Sequence, residues 1–343
     1  MPVADAIQRR AFLASAVSGA AAALILPTDR ASAAVPAAAA PGGFGTLRHV
    51  RTDLLDIAYL DMGPPKGRPV LLFHGWPYDV HTYADAAPIL AAAGYRVIVP
   101  HLRGYGPTRF LSDTTPRNGQ QAALAQDALD LIDALGLEKP IVGGCDWGAR
   151  TACIVAVTRP EQVRALVSVS GYLIGSRAAN VKPLSPEAER AWWYQYYFAT
   201  ERGRQGYAAN THAFARLIWQ TASPRWAFDD ATFARSAASL DNPDHAAIAI
   251  HNYRWRLGLA EGEARYDALE HQLAAFPSIR VPTITLEGDA NGAPHPLPQD
   301  YRKRFEGRYE HRQSNGGIGH NLPQEAPRDF ARAIIDVDRM AGS

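Results

Sequence analysis

The sequence predicts an α/β fold: a mostly parallel sheet, covered by helices on both faces, with a long helical insertion. Three observations point there. Short apolar runs alternate with helix-like segments from residue 54 to 169, the pattern of parallel strands joined by helical crossovers. The alternation then stops, and 172–276 reads as helical and dense in aromatics, with five of the seven tryptophans (Trp192, Trp193, Trp219, Trp226 and Trp255). Strand-like runs resume at 281–287 and 309–313 before a final helix at 326–340.

Taken in order, 47–51 and 54–62 read as two strands turning at Thr52-Asp53, a hairpin. Residues 69–73 (PVLLF) form a continuous apolar run, as in a strand buried on both faces, and end in His74-Gly75-Trp76-Pro77. A helix is expected over 79–93, a buried strand over 95–99, a loop at His101-Leu102-Arg103-Gly104-Tyr105-Gly106, and a helix over 120–135 with apolar residues at helical spacing. A strand ending at Val142, a helix over 149–158 and a strand over 163–169 complete the first part. The core is therefore expected at 46–171 and 277–343, with a helical cap at 172–276.

At 343 residues and 47% hydrophobic content, the chain can bury a sizeable core. A net charge of +1 without a basic run argues against a nucleic-acid partner. Two cysteines, Cys145 and Cys153, do not make a disulfide framework, and no His/Cys/Asp spacing suggests a metal. No cofactor is expected. Residues 1–33 read as a twin-arginine-like export signal: Arg9-Arg10-Ala11-Phe12-Leu13, an apolar Ala-rich run to Leu26, then Ala31-Ser32-Ala33-Ala34 as the cleavage region. That run is too short for a membrane anchor, so the expectation is a periplasmic or secreted protein without stable membrane insertion. The Ala/Pro/Gly-rich stretch 34–45 reads as a flexible leader.

The chemistry centres on Gly144-Cys145-Asp146-Trp147-Gly148, where an apolar strand turns sharply into a helix. This is the G-x-nucleophile-x-G elbow, with a carboxylate at the exposed position instead of a hydroxyl. Further along, Gly316-Gly317-Ile318-Gly319-His320-Asn321 presents one histidine on a glycine-rich loop after the last strand. Nucleophile and base thus follow each other in an order suited to covalent catalysis.

With these motifs, residues 47–340 resemble the α/β-hydrolase-fold epoxide hydrolases, relatives of the haloalkane dehalogenases. His74-Gly75-Trp76-Pro77, Arg103-Gly104-Tyr105-Gly106, Gly144-Cys145-Asp146-Trp147-Gly148 and Gly319-His320 carry the likeness. The resemblance implies an α/β-hydrolase fold with an inserted helical cap, Asp146 as nucleophile, and His320 as the base activating water. It implies an oxyanion hole from the backbone N–H groups of Trp76 and Trp147, commonly with a cis peptide before the proline. Tyr194, in Tyr194-Gln195-Tyr196-Tyr197-Phe198, and Tyr253, in Asn252-Tyr253-Arg254, match the tyrosines that hold the epoxide oxygen.

The match breaks at the third catalytic member. Asn291 occupies the position of the expected acid in Gly288-Asp289-Ala290-Asn291-Gly292, with Asp289 two residues earlier. Asn291 can orient His320 but supplies no charge. Two other possibilities are Asp289 as the partner and deamidation of Asn291 to Asp. His101 also stands where the family usually has Asp. The leading expectation is hydrolysis of a small hydrophobic epoxide. The alternatives are a haloalkane or haloacid dehalogenase, with indole N–H groups of Trp147 and Trp76 as halide donors, and a catalytically weakened ligand-binding relative. The number of copies in the assembly is not legible in the sequence.

Overall fold

The computed structural model describes residues 44–342. The expected export signal and most of the leader lie outside these residues. Nine strands form one sheet: β1 (Thr46–Arg51), β2 (Leu55–Met62), β3 (Arg68–Phe73), β4 (Tyr95–Pro100), β5 (Arg109–Phe110), β6 (Ile141–Gly144), β7 (Ala165–Val169), β8 (Thr283–Gly288) and β9 (Tyr309–Ser314). Their order is β1-β2-β4-β3-β6-β7-β8-β9, with β5 paired to β2. The β1–β2 hairpin and the β2–β4 pair are antiparallel; every pairing from β4 through β9 is parallel. Only β5 has no counterpart in the sequence reading. Its two residues pair with Leu55 and Asp56 and are too few to show a period.

Burial explains the apolar runs. Val70, Leu71, Leu72 and Phe73 of β3 are all completely buried, and β6, β7 and β8 are buried along their whole length. Successive side chains point to opposite faces. Leu71 and Phe73 join one core with α2 (Gln121–Ala134) and α3 (Trp147–Thr158). Val70 and Leu72 join a second core with α1 (Ala86–Ala92) and the C-terminal helix. Each such aliphatic side chain contributes roughly 1.5–3 kcal/mol on leaving water.

The helix expected over 79–93 begins as a 3₁₀ turn, Val80–Tyr83, and becomes α1 only at Ala86. Pro88 then lies in the first turn of α1, where its missing N–H has no intrahelical partner to lose.

Between β7 and β8 the described chain forms helices only. They are α4 (Arg177–Asn180), α5 (Pro186–Ala191), α6 (Trp193–Ala199), α7 (Glu201–Ala209), α8 (Thr211–Ala222), α9 (Asp230–Ala237), α10 (His245–Arg256) and α11 (Asp267–Ala274), with short 3₁₀ turns. α12 (Pro298–Tyr301), α13 (Leu322–Glu325) and α14 (Pro327–Gly342) follow within the second part of the core. The apolar residues Phe330, Ala331, Ala333, Ile334 and Val337 put one buried stripe of α14 on the sheet. Among the described residues, no helix is long and apolar enough to cross a membrane.

The order β4-β3-β6 places the chain reversal between β3 and β6. At such a switch point, the loops leaving the carboxyl ends of the two strands diverge and leave a crevice. Here those loops are the one carrying Trp76 and the elbow carrying Asp146.

Candidate active site

The elbow follows from packing. α3 starts one residue after Asp146, which sits at φ 55° and ψ −120°, a conformation that holds its side chain up from the sheet. The turn closes only because Gly144 and Gly148, two residues to either side, lack side chains. A Cβ on Gly148 would lie 1.8 Å from the Phe73 carbonyl oxygen on the adjoining strand. Cys145, between the glycines, is buried, and its thiol donates to the His320 carbonyl oxygen at 3.2 Å. Its role there is structural.

Two groups hold the Asp146 carboxylate. The Trp76 backbone N–H donates to Oδ1 at 2.9 Å, from a loop whose Trp76–Pro77 peptide is cis. His320 Nε2 lies 3.5 Å from Oδ2. Burial alone would raise the Asp146 carboxyl, but His320, Arg150 and the Trp76 N–H outweigh it and hold the group below its ordinary value. Burial likewise opposes the charged form of His320, and the hydrogen bond and charge of Asp146 overcome it, so His320 is raised above its ordinary value. Trp147, the other expected oxyanion donor, begins α3, and its N–H does not reach the carboxylate among the described hydrogen bonds.

His320 is placed by the loop around it. Its backbone N–H donates to Ser223 Oγ at 2.9 Å, and Ser223 Oγ donates to Glu325 Oε1 at 2.7 Å. Glu325 also accepts from the Gly319 and Asn321 N–H groups, at 2.6 Å and 3.0 Å. A Cβ on Gly319 would meet Ser223 at 2.5 Å, which explains the glycine before the histidine.

Asn291 is the residue that faces His320, with Oδ1 3.2 Å from Nδ1. The amide has only one workable orientation. Its Nδ2 lies 2.8 Å from Glu287 Oε1, and a carboxylate can only accept, so the NH₂ faces Glu287 and the carbonyl faces His320. His320 therefore donates through Nδ1 and turns Nε2 towards Asp146. Ser170 Oγ, 3.4 Å from Nδ2, completes the cradle.

Asp289 does not partner His320. Its carboxylate accepts from the backbone N–H groups of Gly316, Gly317 and Ile318 at 3.0, 2.8 and 2.8 Å, so it anchors the histidine loop instead. Deamidation of Asn291 also has no support here. The Gly292 N–H that would attack the side chain is bonded to the Ala222 carbonyl at 2.8 Å, and an aspartate would set its charge against Glu287.

Glu287 was missed in the sequence reading. It is the penultimate residue of β8, is 9% exposed, and completes the line Asp146, His320, Asn291, Glu287. A signal existed: a single acidic side chain in a strand that carries no other charge and is buried throughout is rare unless paired.

A cavity of about 470 Å³ opens over Asp146 and His320. Tyr194 from α6 and Tyr253 from α10 both line it, with ring centroids 5.2 Å apart and each 5.1 Å from the Trp76 ring. Burial raises both phenols well above their ordinary value, so they are protonated at neutral pH. The lining is aromatic, as expected of a hydrophobic site, but it also holds Arg150, Arg190 and Arg256.

The indole N–H groups considered as halide donors are used or hidden. Trp76 Nε1 donates to Tyr207 Oη at 2.8 Å, and Tyr207 Oη is in turn 2.8 Å from His245 Nε2. Trp147 Nε1 is buried without a hydrogen-bond partner, and Trp147 is not among the residues lining the cavity.

Of the remaining motif residues, Arg103 makes a two-pronged ion pair with Asp127 at 2.6 and 2.7 Å and is fully buried, a structural role. His101 lies against Ser239 of the cap at 3.3 Å, and its burial lowers its pKa to about 4, so this loop is held by a neutral ring where an acid was expected. Among the described residues no cluster of His, Cys, Asp and Glu has the arrangement of a metal site.

Residues 68–244 match the family model described as alpha/beta hydrolase fold. Epoxide hydrolase 3 of Siraitia grosvenorii is 36% identical over 120 residues, 35% of this chain and 36% of that protein. Epoxide hydrolase B of Mycobacterium tuberculosis is 31% identical over 159 residues, 43% of this chain and 44% of that protein. The matched region thus spans less than half the length of these curated relatives. A solved structure from Klebsiella pneumoniae subsp. pneumoniae MGH 78578, described as a candidate epoxide hydrolase, is 59% identical, with a TM-score of 0.86. That match covers 87% of this chain and 99% of the other. An elbow at the sheet's switch point, a histidine loop after the last strand and these matches lead to one conclusion: the chain belongs to the alpha/beta hydrolase fold family.

Proposed function

We propose that the protein is a hydrolase that opens epoxides to vicinal diols. One observation carries this reading: Tyr194 and Tyr253 line the same cavity as Asp146, and both are protonated. An epoxide bound there would sit between a nucleophile that needs no deprotonation and two phenols that can protonate its oxygen.

Asp146 attacks a ring carbon, the carbon–oxygen bond breaks, and the departing oxygen takes a proton from one phenol. The product is an alkyl ester on Asp146. Esterification cancels the Asp146 charge that raises His320, so the imidazole becomes easier to deprotonate when a base is required. His320 then takes a proton from water, and the hydroxide adds to the ester carbonyl carbon. The Trp76 N–H, already on Oδ1, is positioned to hold the oxyanion. Collapse releases the diol and restores the carboxylate, and the His320 proton returns to the phenolate. Asn291 holds the tautomer this requires, and Glu287 supplies the negative charge that Asn291 lacks.

A single turnover in heavy-oxygen water tests the scheme. The label should appear in the Asp146 carboxylate and be absent from the first diol released. Label in that diol with Asp146 unlabelled would rule out the ester. The dehalogenase reading is weaker because both indole donors are unavailable to a halide in the cavity. A ligand-binding protein without catalysis would leave Asp146 unlabelled.

Export to the periplasm or beyond is part of the proposal and rests on the Arg9-Arg10 motif and the apolar run after it. Replacing both arginines with lysine should retain the protein in the cytoplasm; unchanged export would count against the twin-arginine route.

A further inference from the structure

Glu287 has a second partner, which the reaction scheme leaves unused. Its Oε1 accepts from Asn291 Nδ2 at 2.8 Å and from the Gly288 N–H at 3.2 Å. Its Oε2 lies 3.7 Å from Nε2 of His295, within ion-pair reach. His295 stands on the loop 289–297 between β8 and α12 and lines the cavity that holds Asp146 and His320. Pro294 and Pro296 flank it, and a residue before proline is confined to extended backbone, so the loop presents this ring from a restricted chain.

The partners of His295 fix its protons. Nδ1 lies 2.8 Å from the Ala293 carbonyl oxygen, which can only accept, so Nδ1 carries a proton. Nε2 then faces a carboxylate, and a bare lone pair there would be repelled. A proton on Nε2 makes the contact attractive, as an imidazolium–carboxylate pair. The negative end of that pair faces Asn291 and the positive end faces the cavity.

Such a pair suits the task of His320, which must be neutral to take a proton from water. Against its burial, Asp146, Glu287 and Glu325 all favour the charged form. Esterification of Asp146 removes one of these influences and leaves the other two. A cation on Oε2 of Glu287 moderates the second while Oε1 still holds the Asn291 amide. The other charged side chains lining the cavity are Arg150, Arg190 and Arg256, and none of them is paired with Glu287 among the described residues.

Resting on the epoxide reading above, we propose that His295 is a positioning residue of the reaction, paired with Glu287 so that this acid orients Asn291 without holding the base His320 in its charged form. The network then runs Asp146, His320, Asn291, Glu287, His295, and it begins and ends on the cavity wall.

The test follows the His320 ring by NMR in the ligand-free wild type, His295→Gln, Glu287→Gln and the double variant, with the resonance assigned by its loss in His320→Gln. His295→Gln removes the cation, so His320 should titrate about half a pH unit or more higher than in the wild type. With Glu287→Gln already in place, the same change should have little effect. His295→Lys keeps a cation at the position and should bring the titration back towards the wild-type value. An unchanged or lower titration in His295→Gln, an equal rise in the Glu287→Gln background, or no recovery in His295→Lys would overturn the role. With a neutral epoxide, the acid limb of kcat should move up in His295→Gln together with the His320 titration, and a limb that stays in place would also overturn it. Absence of turnover by the wild type would count against the epoxide reading, leaving the NMR result, which needs no substrate, to judge the pairing of His295 with Glu287.

Discussion

The side-chain amide of Asn291 donates a 2.8 Å hydrogen bond to Glu287, turning an acid from the end of β8 towards the histidine that needs one. The position lacks a carboxylate of its own, yet negative charge still lies behind His320, one side chain further out. Glu287 acts in two ways. It orients the Asn291 amide, and its charge favours the imidazolium that forms when His320 takes a proton.

Glu287→Gln should therefore lower kcat on the order of tenfold, within the usual coupling between neighbouring members of one network. Asn291→Asp should also lower activity, because it sets a carboxylate against Glu287 Oε1. The double variant should recover part of that loss, because Glu287→Gln leaves the new carboxylate at position 291 as the only one of the pair. A cycle of the four proteins in steady-state kinetics checks this, and strictly additive losses would refute the relay.

Asp146→Asn should reduce turnover by at least about 10⁴-fold while substrate still binds. The same substitution removes the hydrogen bond and charge that raise His320 above its ordinary value of about 6.5. The sign is thus downward: the imidazole of the variant should titrate at lower pH than that of the wild type. Proton NMR of the His320 ring gives the answer, and an unchanged or higher value would mean that Asp146 does not set it.

Tyr194→Phe and Tyr253→Phe each remove a proton donor from the cavity. Each should slow ester formation by roughly 10²-fold or more, with the hydrolytic step less affected. Stopped-flow fluorescence can separate the steps, since Trp76 lies 5.1 Å from both rings. Loss confined to ester hydrolysis would remove the tyrosines from the leaving-group role.

Gly148→Ala tests the elbow. Its Cβ would press on the Phe73 carbonyl at 1.8 Å, where the first turn of α3 packs on the buried end of β3, and the cost should be roughly 3 kcal/mol. Thermal and denaturant unfolding measure it. A variant as stable as the wild type would mean the elbow has more room than its packing implies.

Asp289→Ala should lower the melting temperature and kcat together, because three loop N–H groups lose their acceptor and His320 loses its anchorage. If Asp289 were instead the partner of His320, the loss would fall on kcat without a change in stability.

The sequence by itself determined which residues turn at the elbow and which histidine follows the last strand, because both depend on local features. Glycines around Asp146 and Gly319 before His320 are needed wherever a turn is that tight, and the apolar run of β3 reads as buried without knowledge of its neighbours. The tertiary structure decided what meets what. Asp289 and Asn291 lie two residues apart and are both able to accept a hydrogen bond, so only the path of the 316–319 loop separates anchor from orienting partner. Glu287, 33 residues before His320, and Arg256, 110 residues after Asp146, join the site through folding alone. Long-range placement of charge leaves no local periodicity, because a side chain's partner across the sheet or under the cap is set by the packing of whole elements.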